Sequence, residues 1–160
     1  MARAAVAAED ANFCLHWGLD VNAIQDAVER GRGGASTISQ QVVKNVFLWH
    51  GRSWPRKALE ALWTPLTEAV WSKRRILEVY LNVAEFDEGV FGVQAAARHY
   101  FGVDAADLSS TQAARLAAIL PSPKNRSASH PSSFTRNRAA KIIGGAATIA
   151  ADGRAACFEQ

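Results

Sequence analysis

Apolar residues along the chain recur mostly three and four positions apart, the period of helices, and period-two runs of Val, Ile and Thr are scarce. Asp20 caps a predicted helix over Val21, Ile24, Ala27 and Val28, which Gly31 or Gly33 ends. Arg30 to Gly34 reads as a mobile basic loop. Thr37 followed three residues later by Gln40 has the form of a capping box. It opens a helix with Ile38, Val42, Val46 and Phe47 at core spacing. Ser53 caps the next helix, with Pro55 tolerated in the first turn and Leu59, Leu62, Leu66 and Val70 along it. Pro65 lies inside that helix, removes a backbone donor and predicts a kink or a split. Ser72 caps a short helix from Lys73 to about Leu81, and Val83 to Gly92 reads as a glycine-bearing loop. Val93 to Tyr100 is predicted helical, closed by Gly102. Ser109 and Gln112 form a second capping box, whose helix ends before Pro121. A Pro/Ser-rich connection then leads to a last helix from about Thr135 to Ala150, its end weakened by Gly144-Gly145.

The pattern predicts an all-helical domain with short connections, and 160 residues suit one such domain spanning 1–160. With 49% hydrophobic and 21% charged residues, disorder is excluded. The formal charge of +3 fits an anionic membrane surface or a phosphate-bearing substrate, and equally a plain solvated surface. Cys14 and Cys157 stand far apart and the four histidines lack ligand spacing, so no zinc site is expected; a disulfide between the two cysteines stays open. No apolar run reaches the ~18 residues that a membrane span needs. Met1 to Ala8 is too short for a signal peptide.

Four groups of residues could carry chemistry. They are Glu9-Asp10 with Phe13, His16 and Gly18; Gly34 to Gln41 with Lys44 and Asn45; Arg52, Arg56, Lys57 and Glu60; and Ile76 to Asn82. Transfer of a glycosyl group to a hydroxyl requires a base for the acceptor proton, and a pyrophosphate leaving group requires cations and donors. Ser36 and Thr37 stand at a predicted helix start, where backbone N–H groups favour anions. Gln41 and Lys44, three apart, share a helix face, and Arg52 offers a fork suited to phosphate. Each has a plainer reading: Glu9-Asp10 and Ser36-Thr37 as caps, Arg56-Lys57 and Glu60 as solvated surface, Tyr80 and Leu81 as core. Only their joint order points to a function.

That order resembles the peptidoglycan glycosyltransferase family, found as monofunctional transglycosylases and as a module of bifunctional penicillin-binding proteins. The family's Glu-Asp, Phe, His, Gly motif matches Glu9, Asp10, Phe13, His16 and Gly18. Its Gly-x-Ser-Thr-Ile-Thr/Ser-Gln-Gln motif matches Gly34 to Gln41 and continues into Lys44 and Asn45. Arg-Lys-x-x-Glu matches Arg56, Lys57 and Glu60, and Ile-Leu-x-x-Tyr-Leu-Asn matches Ile76 to Asn82. The likeness spans roughly Ala7 to Ile143 and is closest to the monofunctional branch.

The resemblance implies a mostly α, lysozyme-like fold with two lobes around a cleft. It implies polymerisation of lipid II into glycan strands, with inversion and release of undecaprenyl pyrophosphate. Glu9 is then the base for the acceptor 4-hydroxyl and Glu60 assists the departing pyrophosphate. Asp10, Ser36, Thr37, Gln40, Gln41, Lys44 and Arg52 are the implied substrate-binding set. A divalent cation, magnesium or manganese, is implied at the pyrophosphate without a dedicated protein site. The implied setting is the outer face of the bacterial inner membrane, with cell-wall synthesis or division proteins nearby and no nucleic acid as partner. The family's amino-terminal membrane helix is not in this chain, Asp87 stands where the family usually has Gly, and Pro65 is unusual in the helix carrying Glu60. Two other readings compete: a murein hydrolase or lytic transglycosylase, which needs carboxylates but no pyrophosphate clamp, and a basic helical module binding nucleic acid, which leaves Glu9-Asp10 unexplained.

Overall fold

The structure is a computed structural model and describes residues 1–29, 31, 36–49, 51 and 53–159. Its helices in chain order are α1 (Ala2–Glu9), α2 (Val21–Glu29), α3 (Ile38–Phe47), α4 (Trp54–Val70), α5 (Lys73–Val83), α6 (Val93–Phe101), α7 (Ser110–Ile119), α8 (Ser133–Ala151) and α9 (Ala156–Glu159). The caps predicted at Thr37, Ser53, Ser72 and Ser109 form. Thr37 and Gln40 close a reciprocal capping box on α3, and Ser109 and Gln112 do so on α7. Ser53, Ser72 and Ser132 each accept a backbone N–H at the start of α4, α5 and α8.

Two helices were not expected, α1 and the short α9. α1 packs against α7 and α8 through small side chains. Ala4, Ala113, Ala114, Ala117, Ala118, Ala139 and Ile142 form a buried cluster, and small side chains let helix axes approach closely. Gly145 belongs to the same contact, since a Cβ there would stand 3.3 Å from the Ala7 Cβ. Fraying at Gly144-Gly145 was expected, yet α8 continues to Ala151 because α1 lies against it. The main core gathers Val6, Phe13, Ile38, Val42, Ile76, Tyr80, Phe86, Leu116, Ile119, Ile149 and Phe158.

Helix α4 is where the hydrophobic pattern misled. Leu62, Leu66 and Val70 recur at helical spacing, but they are exposed, Val70 by 80%. The buried face is Arg56, Glu60, Thr64, Thr67 and Glu68. Burial of such groups requires partners, and most have them, although Arg56 Nε is buried without one. Thr64 Oγ1 donates to the Glu60 carbonyl, and Glu68 accepts from Ser39 Oγ and from Lys73 Nζ. Val46 and Phe47 of α3 are likewise exposed rather than core. Pro65 does not split α4, which runs unbroken. The carbonyl it frees belongs to Ala61, which is exposed and can turn to water.

The segment expected as a loop after α5 contains a two-stranded antiparallel hairpin, β1 (Glu85–Asp87) and β2 (Val90–Phe91), pairing Glu85 with Phe91 and Asp87 with Val90. Asp87 accepts from Tyr100 Oη at 3.0 Å and meets His99 Nε2 at 3.1 Å. A carboxylate in place of glycine thus ties the hairpin to α6.

Candidate active site

Glu9 is the last residue of α1, and Asp10 is its C-cap. Asp10 is buried with both oxygens engaged: Oδ2 accepts the Ile38 N–H at 3.0 Å, and Oδ1 meets His16 Nε2 at 2.8 Å. A carboxylate at the first N–H of α3 suits the positive end of a helix. This bond joins the end of α1 to the start of α3. Gly18 adds a second joint. Its carbonyl accepts from Thr37 Oγ1 at 2.6 Å. Its φ of +83° suits glycine, and a Cβ there would stand 2.6 Å from Thr64 Cγ2.

The Glu9 side chain retains 13% exposure. Its Oε2 accepts from Gln41 Nε2 at 3.2 Å, and Arg138 Nη2 stands 3.6 Å from Oε1. Burial pushes the Glu9 carboxyl above its ordinary range; the Gln41 bond and the Arg138 and Lys44 charges pull back, and Asp10 adds to the rise. Tyr80 of α5 lies against the same acids: burial, then the Glu9 and Asp10 charges, hold its phenol far above the usual range.

One helical turn beyond Gln41, Lys44 is half-buried. Burial lowers its ammonium pKa, Glu60 and Glu9 oppose that, and Arg56 and Lys57 add to it. Lys44 therefore stands within electrostatic reach of both acids. Glu60 is 2% exposed and not the surface residue of the plain reading. Lys57 Nζ donates to its Oε1, and Arg56 Nη1 lies 3.8 Å from its Oε2. Lys44 and Arg56 open onto a pocket of about 850 Å³ that Asn45, Trp49, Asn82 and Lys124 also line.

Of the predicted set, Glu9, Gln41, Lys44 and Glu60 are thus linked in one region. Ser36 is half-buried at the start of α3. Thr37 and Gln40 are buried, with their side chains occupied by the cap and Gly18. Arg52, together with Gly34 and Ala35, lies outside the described residues. Lys124 and Arg138 also reach this region without having been singled out, and Arg56 was named in its motif group but not in the substrate-binding set. Arg56 carried a signal in the Arg-Lys-x-x-Glu spacing, whereas nothing local marks Lys124 or Arg138. For a metal, Asp10, His16 and Asp20 bring donor atoms within 4.8 Å of one another. Asp10 is already closed by His16 and Ile38, and Asp20 accepts from Asn12 Nδ2 at 3.1 Å. These bonds hold the trio as a joint between the end of α1, the segment after it and the start of α3.

Residues 1–147 match the family model described as Transglycosylase. A biosynthetic peptidoglycan transglycosylase from Jannaschia sp. (strain CCS1) is 64% identical over 159 residues, covering 99% of this chain and 66% of its own length. Its namesake from Pseudomonas putida (strain GB-1) is 60% identical over 144 residues, covering 87% of this chain and 61% of its own length. The chain spans slightly under two thirds of the length of these curated relatives. With its motif order intact, and with Glu9, Lys44 and Glu60 drawn together, the chain belongs to the transglycosylase family.

Proposed function

We propose that the chain is a glycosyltransferase that polymerises lipid II into glycan strands, inverting the anomeric centre and releasing undecaprenyl pyrophosphate. The observation that carries this reading is Lys44, half-buried, within electrostatic reach of both Glu9 and Glu60 and lining a pocket with further cations. A raised carboxyl suits general-base work near neutral pH. Glu9 takes the proton of the acceptor 4-hydroxyl as that oxygen attacks the anomeric carbon of the growing chain, and the pyrophosphate leaves with the bonding pair. Lys44, Arg56 and Lys57, with Arg52, neutralise the leaving charge. Glu60 holds Arg56 and Lys57 in place for that task. Ser36 and Gln41 bind donor sugar and phosphate, while Asp10, Thr37 and Gln40 shape the helix start that presents them. A divalent cation would enter with the pyrophosphate, and no step is routed through one.

The setting proposed is a membrane surface, outside the cytoplasm. Among the described residues no helix is long and apolar enough to cross a membrane. The outer face of α4 instead exposes Trp54, Leu62, Trp63, Leu66 and Val70, an apolar and aromatic stripe suited to lying on lipid. Incubation with lipid-linked precursor and, separately, with finished murein tests the reading. Polymer from the first supports it; cleavage of the second with no polymer overturns it in favour of a hydrolase.

A further inference from the structure

Arg138 of α8 is far from Glu9 in sequence, yet its guanidinium reaches the end of α1. Nη2 donates to the Ala8 carbonyl at 3.2 Å and stands 3.6 Å from Glu9 Oε1. Ala8 belongs to the last turn of α1, where helix carbonyls lack intrahelical donors. Arg138 thus supplies a donor to a backbone acceptor and a charge to the neighbouring carboxylate in one contact. Its Nε is buried without a partner, and the guanidinium meets the end of α1 through Nη2.

We propose that Arg138 is the positioning residue of Glu9, fixing the end of α1 through the Ala8 carbonyl so that one carboxylate oxygen stays against the guanidinium while the other faces Gln41 and the acceptor. This rests on the proposed glycosyl transfer for its purpose, but not for its geometry. The groups facing Glu9 are Asp10 beside it, Gln41 and Lys44 from α3, Tyr80 from α5 and Arg138 from α8. Gln41 is neutral, and Lys44 is shared with Glu60. Arg138 is therefore the cation most nearly dedicated to Glu9, and its loss leaves burial and Asp10 with less opposition.

The test replaces Arg138→Met, which keeps much of the stem, and Arg138→Lys, which keeps the charge. The Glu9 carboxyl is titrated by carbon-13 NMR, and polymerisation is followed as kcat and KM. The methionine variant is expected to raise the Glu9 midpoint by about half a pH unit or more and to lower kcat roughly tenfold with KM within about twofold, with partial rescue by lysine. An unchanged midpoint in the folded methionine variant overturns the proposal. Arg138→Gln serves under the same criterion should the methionine variant fail to fold. A wild-type chain that makes no polymer but whose midpoint still moves in the variant would sink the proposed function and leave this inference standing.

Discussion

A buried acid and a half-buried ammonium within reach of each other shift in opposite directions, and the shifts have readable consequences. Glu9 is raised mainly by burial, so its basic form is lost at a higher pH than for an ordinary carboxylate. The acid limb of kcat/KM is expected above about 4.3, the free glutamate value. Lys44 is lowered mainly by burial, so its charge is lost earlier as pH rises. The alkaline limb is expected below about 10.4, and a bound diphosphate, by favouring the ammonium, should move that limb upward in kcat relative to kcat/KM. Rate profiles across pH check both, and limbs at the unshifted values would contradict them. Lys44→Ala is expected to weaken donor binding by roughly tenfold or more while changing the melting temperature little, as calorimetry would show. At Gly18, alanine meets both a positive φ and Thr64 Cγ2. A loss of about 1–3 kcal/mol in urea unfolding is expected.

Among the elements, α4 separates what a pattern specifies from what it leaves open. Periodicity identifies a helix but not which stripe faces inward, because polar residues at the same spacing can be buried when they satisfy one another. Glu60 and Thr64 do so within a turn, through Lys57 and the Glu60 carbonyl, and Glu68 does so through Lys73 and through Ser39, 29 residues away, a partner that no local window shows. Leu62→Glu with Leu66→Glu should therefore change stability by less than about 1 kcal/mol yet weaken binding to anionic lipid vesicles in a sedimentation assay. Strong unfolding by that pair would show instead that these leucines are packed in the core. The capping boxes at Thr37 and Ser109 were legible because all their partners lie within four residues. The motif order brought out Glu9, Lys44 and Glu60 for a similar reason, each lying in a compact signature. The α1 helix and Arg138 beside Glu9 depend on contacts between distant segments and left no comparable trace, while the hairpin at Asp87 is local but its strands are too short to show a period of two.

Over the whole molecule, the carboxy-terminal segment closes on the loop that follows Glu9. Cys14 and Cys157 form a disulfide across 143 residues, the pairing that composition left open. Phe158 lies on Phe13 with ring centroids 6.3 Å apart, and Arg154 Nη1 donates to the Ala11 carbonyl at 3.2 Å. A crosslink over so long a loop restricts the unfolded chain strongly. Replacing both cysteines by alanine is expected to cost about 2–5 kcal/mol in urea unfolding, and an unchanged midpoint would show that the noncovalent clasp suffices. Such a bond persists in oxidising compartments, which agrees with work outside the cytoplasm. The most direct measurement is single-turnover glycosyl transfer by Glu9→Gln beside the wild type, with donor binding measured on both. The account expects transfer to vanish while donor binding and fold survive. Transfer at the wild-type rate in that variant would remove Glu9 as the base.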